Sequence, residues 1–210
     1  MEHIDIFPTS IFHTKVKGYG ILNQKIEKYI YNLKKEHPEE PLISCVNGWN
    51  SPKFNFKDKI PKYIVNTFQP YIKSAMDKLR YDYENFNIGW DGMWAVVNNQ
   101  YAYNLTHTHG DSVMSMAYYV KIPKGDNIGG EIFFKDPRSL AMNASKPVEP
   151  NGDIDETLYH NFSYSFYNKV VSPKEGELLL FPGWLEHGVH QSTVEGDRIV
   201  ISANINLYEK

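Results

Sequence analysis

The chain has 210 residues, enough for one domain with a full hydrophobic core. Its 41% apolar and 22% charged residues exclude disorder as the main state, and 14% aromatics favour a β-rich body. A net charge of -3 argues against nucleic acid as a partner, and no apolar run reaches the roughly 18 residues of a membrane span. The start MEHIDIFPTS lacks a secretory signal, and the single cysteine, Cys45, excludes an internal disulfide. Together these features point to a cytoplasmic protein in which Cys45 is a structural thiol.

In chain order, residues 6–16 (IFPTSIFHTKV) read as a first strand. Residues 21–36 place Leu22, Ile26, Ile30 and Leu33 on one stripe, a helix stopped by His37-Pro38. The lysine-rich stretch 53–62 (KFNFKDKIPK) reads as a solvated loop and helix start, with an anionic partner as the alternative. A second helix is expected over 61–81, with Ile64, Phe68, Ile72, Met76 and Leu79 on one side. Pro70 falls inside it and should kink or split it.

From residue 85 the period becomes that of strands. Expected strands span 86–98, 102–109, 113–122, 131–135, 162–171, 177–181, 187–192 and 198–207, separated by turns such as Lys174-Glu175-Gly176 and Glu195-Gly196-Asp197. This mainly β pattern predicts an antiparallel jelly roll with two N-terminal helices bracing one face. Residues 137–161, rich in Pro, Asn, Asp and Glu, read as an insertion loop. No repeat or linker divides the chain. A single domain over 1–210 is expected, with 1–84 as strand and helical support and 85–210 as the jelly-roll core.

The chemistry is concentrated in HTHGDS (107–112) and in FPGWLEHGVHQSTVEGDRIVIS (181–202). Alternate side chains of a strand share a face, so His107, His109 and Asp111 point one way if the strand runs on to Asp111. His109 and Asp111, about 7 Å apart along a strand, can close on one ion, and His187 is the leading third ligand. Two imidazoles and one carboxylate leave open positions for oxygen and a chelating co-substrate, which suits Fe(II). Taken alone, the same residues read as ordinary polar strand positions, and a lone HxD is a weak signal.

Arg198 follows His187 just past the turn Glu195-Gly196-Asp197, and Ser202 shares its face. A guanidinium at the base of a barrel needs an anion, and a carboxylate matches it best. A dicarboxylic co-substrate satisfies both features, with its keto-acid end on the metal and its far carboxylate on Arg198 and Ser202.

These residues resemble the iron(II)- and 2-oxoglutarate-dependent oxygenases, and more narrowly a small branch found in bacteria and phages. The carriers are NLTHTHGDSVMSMAYYV (104–120), GGEIFFKDPR (129–138), EGELLLFPGWLEHGV (175–189), GDRIVISANI (196–205) and the IFPT opening at 6–9. The resemblance implies a double-stranded β-helix and iron held by three side chains. It also implies 2-oxoglutarate oxidised to succinate and carbon dioxide while a substrate C–H bond is hydroxylated. The superfamily pattern is HxD or HxE, whereas the narrower branch usually reads HxH. Both spellings overlap here. The expected iron ligands are His109, Asp111 and His187, because a carboxylate partly neutralises Fe(II), with His107 competing for the place of Asp111.

Tyr118 and Tyr119 point to opposite faces, and Tyr119 is assigned a hydroxyl contact to the co-substrate carboxylate beside Arg198 and Ser202. Met114, Met116, Phe133 and Leu180 are expected to wall the pocket. His190 reads as a rim residue and Trp184 as core packing or pocket wall. Two rivals need no 2-oxoglutarate: a non-catalytic jelly-roll module that binds a metal or ligand, and a cupin-type dioxygenase. Neither explains Arg198.

Overall fold

The computed structural model describes residues 7–39, 44–82, 85–125, 127–138 and 168–210. Position 6 of the first expected strand, residues 139–161 of the insertion loop and residues 162–167 of the fifth jelly-roll strand lie outside them.

Strand β1 (Phe12–Lys15) leads into helix α1 (Tyr19–Glu36), followed by two-residue strands β2 (Cys45–Val46) and β3 (Trp49–Asn50) and helix α2 (Lys59–Lys78). The rest of the described chain is strand: β4 (Phe86–Asn98), β5 (Tyr103–His107), β6 (Met114–Lys121), β7 (Ile132–Lys135), β8 (Asn168–Val171), β9 (Glu177–Pro182), β10 (His187–Val189) and β11 (Arg198–Glu209). They form a six-stranded sheet, β1-β9-β6-β11-β4-β3, facing a five-stranded sheet, β2-β5-β10-β7-β8. All pairings are antiparallel among the named strands, which is the jelly-roll arrangement.

The larger sheet is covered on both sides. Its outer face packs Ile199, Ile201, Met114, Met116, Tyr118 and Leu178 against Ile26, Ile30, Ile64, Phe68, Ile72 and Met76 of the helices. Its inner face packs Ala117, Tyr119, Leu179, Phe181 and Val200 against Ile132 and Phe134 of the smaller sheet. This explains why β6 reads MSMAYYV without apolar–polar alternation: every residue from Met114 to Val120 is buried. Each fully buried Ile, Phe or Met contributes about 1.5–3 kcal/mol of apolar burial.

A polar bolt joins α1 to β6. Asn23 donates from Nδ2 to the Val120 carbonyl at 2.6 Å and accepts from the Tyr118 hydroxyl. Helix α2 runs unbroken through Pro70, so the expected split does not occur. Pro70 lies on the exposed face, where water can satisfy the Asn66 carbonyl that loses its helical donor. No helix among the described residues is long and apolar enough to cross a membrane.

Candidate active site

Between the sheets lies a cavity of about 630 Å³. His107 ends β5 and His187 begins β10, and the two are register partners. His109 follows β5 in a turn fixed from three sides. Its N–H donates to the Gly183 carbonyl at 2.7 Å, and its own carbonyl accepts from Ser112 N at 2.8 Å. Asn206 of β11 accepts from Val113 N at 2.8 Å and donates to the Asp111 carbonyl at 2.9 Å. Gly183 is required here, since a Cβ would stand 2.2 Å from the Ser112 carbonyl oxygen.

The result brings three imidazoles together. Ligand nitrogens of His107, His109 and His187 lie within 4.8 Å of one another, so one metal ion can bridge all three. The Nδ1 of His107 lies 2.7 Å from the Leu105 carbonyl, and that of His187 lies 2.8 Å from the Leu185 carbonyl. A carbonyl only accepts, so each Nδ1 carries the proton and each Nε2 keeps its lone pair for a metal. Burial, then the neighbouring His107, pushes His109 down to about 4. Burial pushes His187 down to about 3, against the opposing Leu185 carbonyl and with help from His107 and His109. Both are neutral at pH 7, the form that ligates.

Asp111 does not join them. The strand stops at His107, residues 110–111 form a turn, and Asp111 is exposed. The alternation that would have placed its carboxylate beside His109 ends with the strand, and Asp111 contributes its backbone carbonyl to Asn206 instead.

Arg198, 4% exposed, lines the same cavity with Tyr119 and Ser202. Its guanidinium carbon sits 5.0 Å from the centre of the Tyr119 ring. Burial lowers the Arg198 pKa, opposed by Tyr119 and Glu131, and burial pushes Tyr119 up to about 12, opposed by Arg198. The phenol therefore keeps its proton and remains a donor. No carboxylate pairs with Arg198 among the described residues. Its register partner Asn98 donates to Asn104 Oδ1 at 2.9 Å and accepts from Cys45 Sγ at 3.2 Å. Burial raises the Cys45 pKa to about 11, so it stays a thiol.

Several expected wall residues lie elsewhere. Met114, Met116 and Leu180 belong to the helix-side core, although Met116 also borders the cavity. Phe133 stacks on His190 at 4.8 Å. His190 is exposed, with Nδ1 3.6 Å from Glu131 Oε2. Trp184 is 51% exposed and belongs neither to the core nor to the cavity lining. The wall is built instead by Trp94, Val96, Ala117, Ile132, Phe181 and Val200. Trp94, which went unassigned in the sequence, packs 5.8 Å from the His109 ring. Its alternation with Gly92 and Val96 in β4 is the signal that would have found it.

The family described as "Putative 2OG-Fe(II) oxygenase" matches residues 92–204, over half of the chain. No curated protein matches the sequence. Among solved structures, a prolyl-4-hydroxylase from Pseudomonas putida has a TM-score of 0.64 at 9% identity, covering 94% of this chain and 92% of that one. The viral collagen prolyl hydroxylase of Paramecium Bursaria Chlorella virus-1, solved with 2-oxoglutarate, gives 0.56 at 13% identity, covering 92% and 95%. HygX from Streptomyces hygroscopicus, solved with nickel and 2-oxoglutarate, gives 0.58 at 13% identity, covering 94% and 82%. At these identities the likeness concerns the fold, and it is the jelly roll described above. The matched segment carries the three histidines, Tyr119, Arg198 and Ser202, and the chain belongs to the 2-oxoglutarate- and Fe(II)-dependent oxygenases, oxidoreductases that use both cofactors.

Proposed function

We propose that the chain acts as one domain that hydroxylates a C–H bond of a primary substrate. In that reaction one atom of O2 enters the new hydroxyl, and the other enters succinate as 2-oxoglutarate loses carbon dioxide. Ferrous iron and 2-oxoglutarate, when bound, supply the oxygen activation and the two-electron oxidation that side chains cannot.

His107, His109 and His187 would hold the iron, His107 and His187 through the Nε2 left free by the Leu105 and Leu185 carbonyls, which fix those two rings. Three imidazoles fit a borderline cation such as Fe(II) and leave the cancellation of its charge to an anionic co-substrate. Arg198 binds the far carboxylate of 2-oxoglutarate, the Tyr119 hydroxyl donates to the same group, and Ser202 lies on the same face of β11. Trp94, Val96, Phe181 and Val200 exclude water around the chain of the co-substrate.

The observation that carries this reading is Arg198, a guanidinium 4% exposed in the wall of the histidine-lined cavity with no carboxylate partner among the described residues. Tyr119 and the charge of Glu131 offset only part of the cost of burying this guanidinium, and an anionic co-substrate would offset the rest. The test is succinate formation from 2-oxoglutarate by the Fe(II)-loaded protein in air. Succinate that depends on both iron and oxygen supports the reading, and none from folded, iron-loaded protein refutes it.

A further inference from the structure

Lys53, the first lysine of the lysine-rich stretch, stands at the solvent-facing edge of the cavity. Lys57, Lys59 and Lys62 of that stretch are exposed and do not line it; Lys53 is exposed as well but also lines the cavity. Gly92 makes this possible. On the cavity face of β4, Trp94 and Val96 carry side chains and Gly92 carries none. A Cβ there would stand 3.3 Å from Lys53 Cε and 3.5 Å from Nζ. The lysine stem therefore lies across bare backbone and carries its ammonium to the wall.

The neighbours of Gly92 are polar and incompletely satisfied. Its register partner on β11 is Asn204, and Asn204 pairs on its other side with Ser115. Asn204 Oδ1 and Ser115 Oγ are buried without a hydrogen-bond partner; the amide oxygen only accepts, so of the two only the Ser115 hydroxyl can donate to an anion. Lys53 has no acidic partner among the described residues, and Asp91, next to Gly92 in sequence, is engaged by Asn206 and Tyr208. Arg198 is six residues from Asn204 on β11, roughly 20 Å along the strand. The two cations therefore serve separate anions. Trp94, two residues from Gly92, packs against His109, so this corner adjoins the histidine cluster.

We propose that Lys53, held against Gly92 at the edge of the cavity, receives an anionic group of the primary substrate, a carboxylate or a phosphate. This rests on the oxygenase reading above and narrows its substrate class. Lys53 acts as a specificity-determining point charge that fixes which C–H bond faces the metal.

The test uses full-length protein loaded with Co(II) and saturated with 2-oxoglutarate, so that Arg198 is already engaged. Methylphosphonate and acetate are titrated separately, and paramagnetic relaxation of their 31P and 13C nuclei reports binding near the metal. Saturable relaxation of methylphosphonate assigns a phosphate-type substrate, and of acetate a carboxylate-type one. Lys53→Gln is expected to weaken the bound probe about tenfold, the loss of one charge-assisted hydrogen bond, while Lys57→Gln leaves it unchanged. Gly92→Ala, which crowds the lysine stem without altering charge, is expected to act in the same direction as Lys53→Gln. Relaxation of neither probe, or equal affinity in Lys53→Gln, overturns the proposal. Calorimetric binding of 2-oxoglutarate is followed in the same samples. Its presence without probe binding removes only the anion site, whereas its absence removes the oxygenase reading as well.

Discussion

His107 and His187 face each other as register partners on adjacent antiparallel strands, with ring centres 4.5 Å apart. Strand pairing, the most rigid device in the fold, thus sets two of the three proposed ligands. His107→Ala is expected to lower Co(II) affinity by more than about 100-fold, beyond the range for groups that merely support a ligand. His187→Ala should match it, and Asp111→Ala should change affinity by less than about threefold, since its exposed carboxylate lies outside the cluster. Calorimetric titration of the metal-free protein measures all three. A large loss in Asp111→Ala with little in His107→Ala would restore the carboxylate-containing set.

Arg198→Ala is expected to weaken 2-oxoglutarate binding by about 2–5 kcal/mol while leaving metal affinity in place. Arg198→Lys should recover little, because an ammonium cannot make the paired contacts of a guanidinium. Equilibrium binding of 2-oxoglutarate to the Co(II) form separates the two effects.

Tyr118 and Tyr119 are adjacent but serve opposite faces of β6, and their phenylalanine variants should separate accordingly. Tyr118→Phe leaves Asn23 Oδ1 without its donor inside the helix-side core and should cost about 1–3 kcal/mol of stability, with 2-oxoglutarate affinity unchanged. Tyr119→Phe should retain stability more closely and weaken 2-oxoglutarate. Denaturant melts and ligand titrations on both variants make the comparison.

The pattern of strands was readable because β9 and β11 begin where the sequence turns end, and β4 begins where the strand period sets in. The helix stripe of Ile64, Phe68, Ile72 and Met76 is likewise the buried face of α2. The clustering of the histidines was harder for a physical reason. Alternation holds only within a strand, and β5 stops at His107, two residues before the second histidine of the motif. Tyr119 faces the cavity because it alternates with Ala117 on β6. Met114 and Leu180 misled because a sheet covered on both faces gives no alternation to choose between them. Strands β2 and β3 are two residues each, too short for any period. The Asn47-Gly48 turn between them, with Asn47 at φ 57°, was the available cue.

Asn206 completes the site from a distance. Its side chain satisfies Val113 N and the Asp111 carbonyl, bracketing the turn that carries His109. Asn206→Ala should cost about 1–3 kcal/mol of stability and lower metal affinity through misplacement of His109. Gly183→Ala attacks the same turn by overpacking, since its Cβ would meet the Ser112 and His109 carbonyls, and should destabilise by about 1–3 kcal/mol or more. Thermal melts with and without Co(II) read both: the metal-induced rise in Tm should shrink in each variant.

The most direct measurement is an anaerobic titration of the Fe(II) protein with 2-oxoglutarate, watched for the weak visible charge-transfer band of the chelated metal. The band should appear and saturate in the wild type, fail in His107→Ala, and require much higher 2-oxoglutarate in Arg198→Ala. A folded, iron-loaded wild type that shows no band, or an Arg198→Ala variant that titrates like it, would contradict the account.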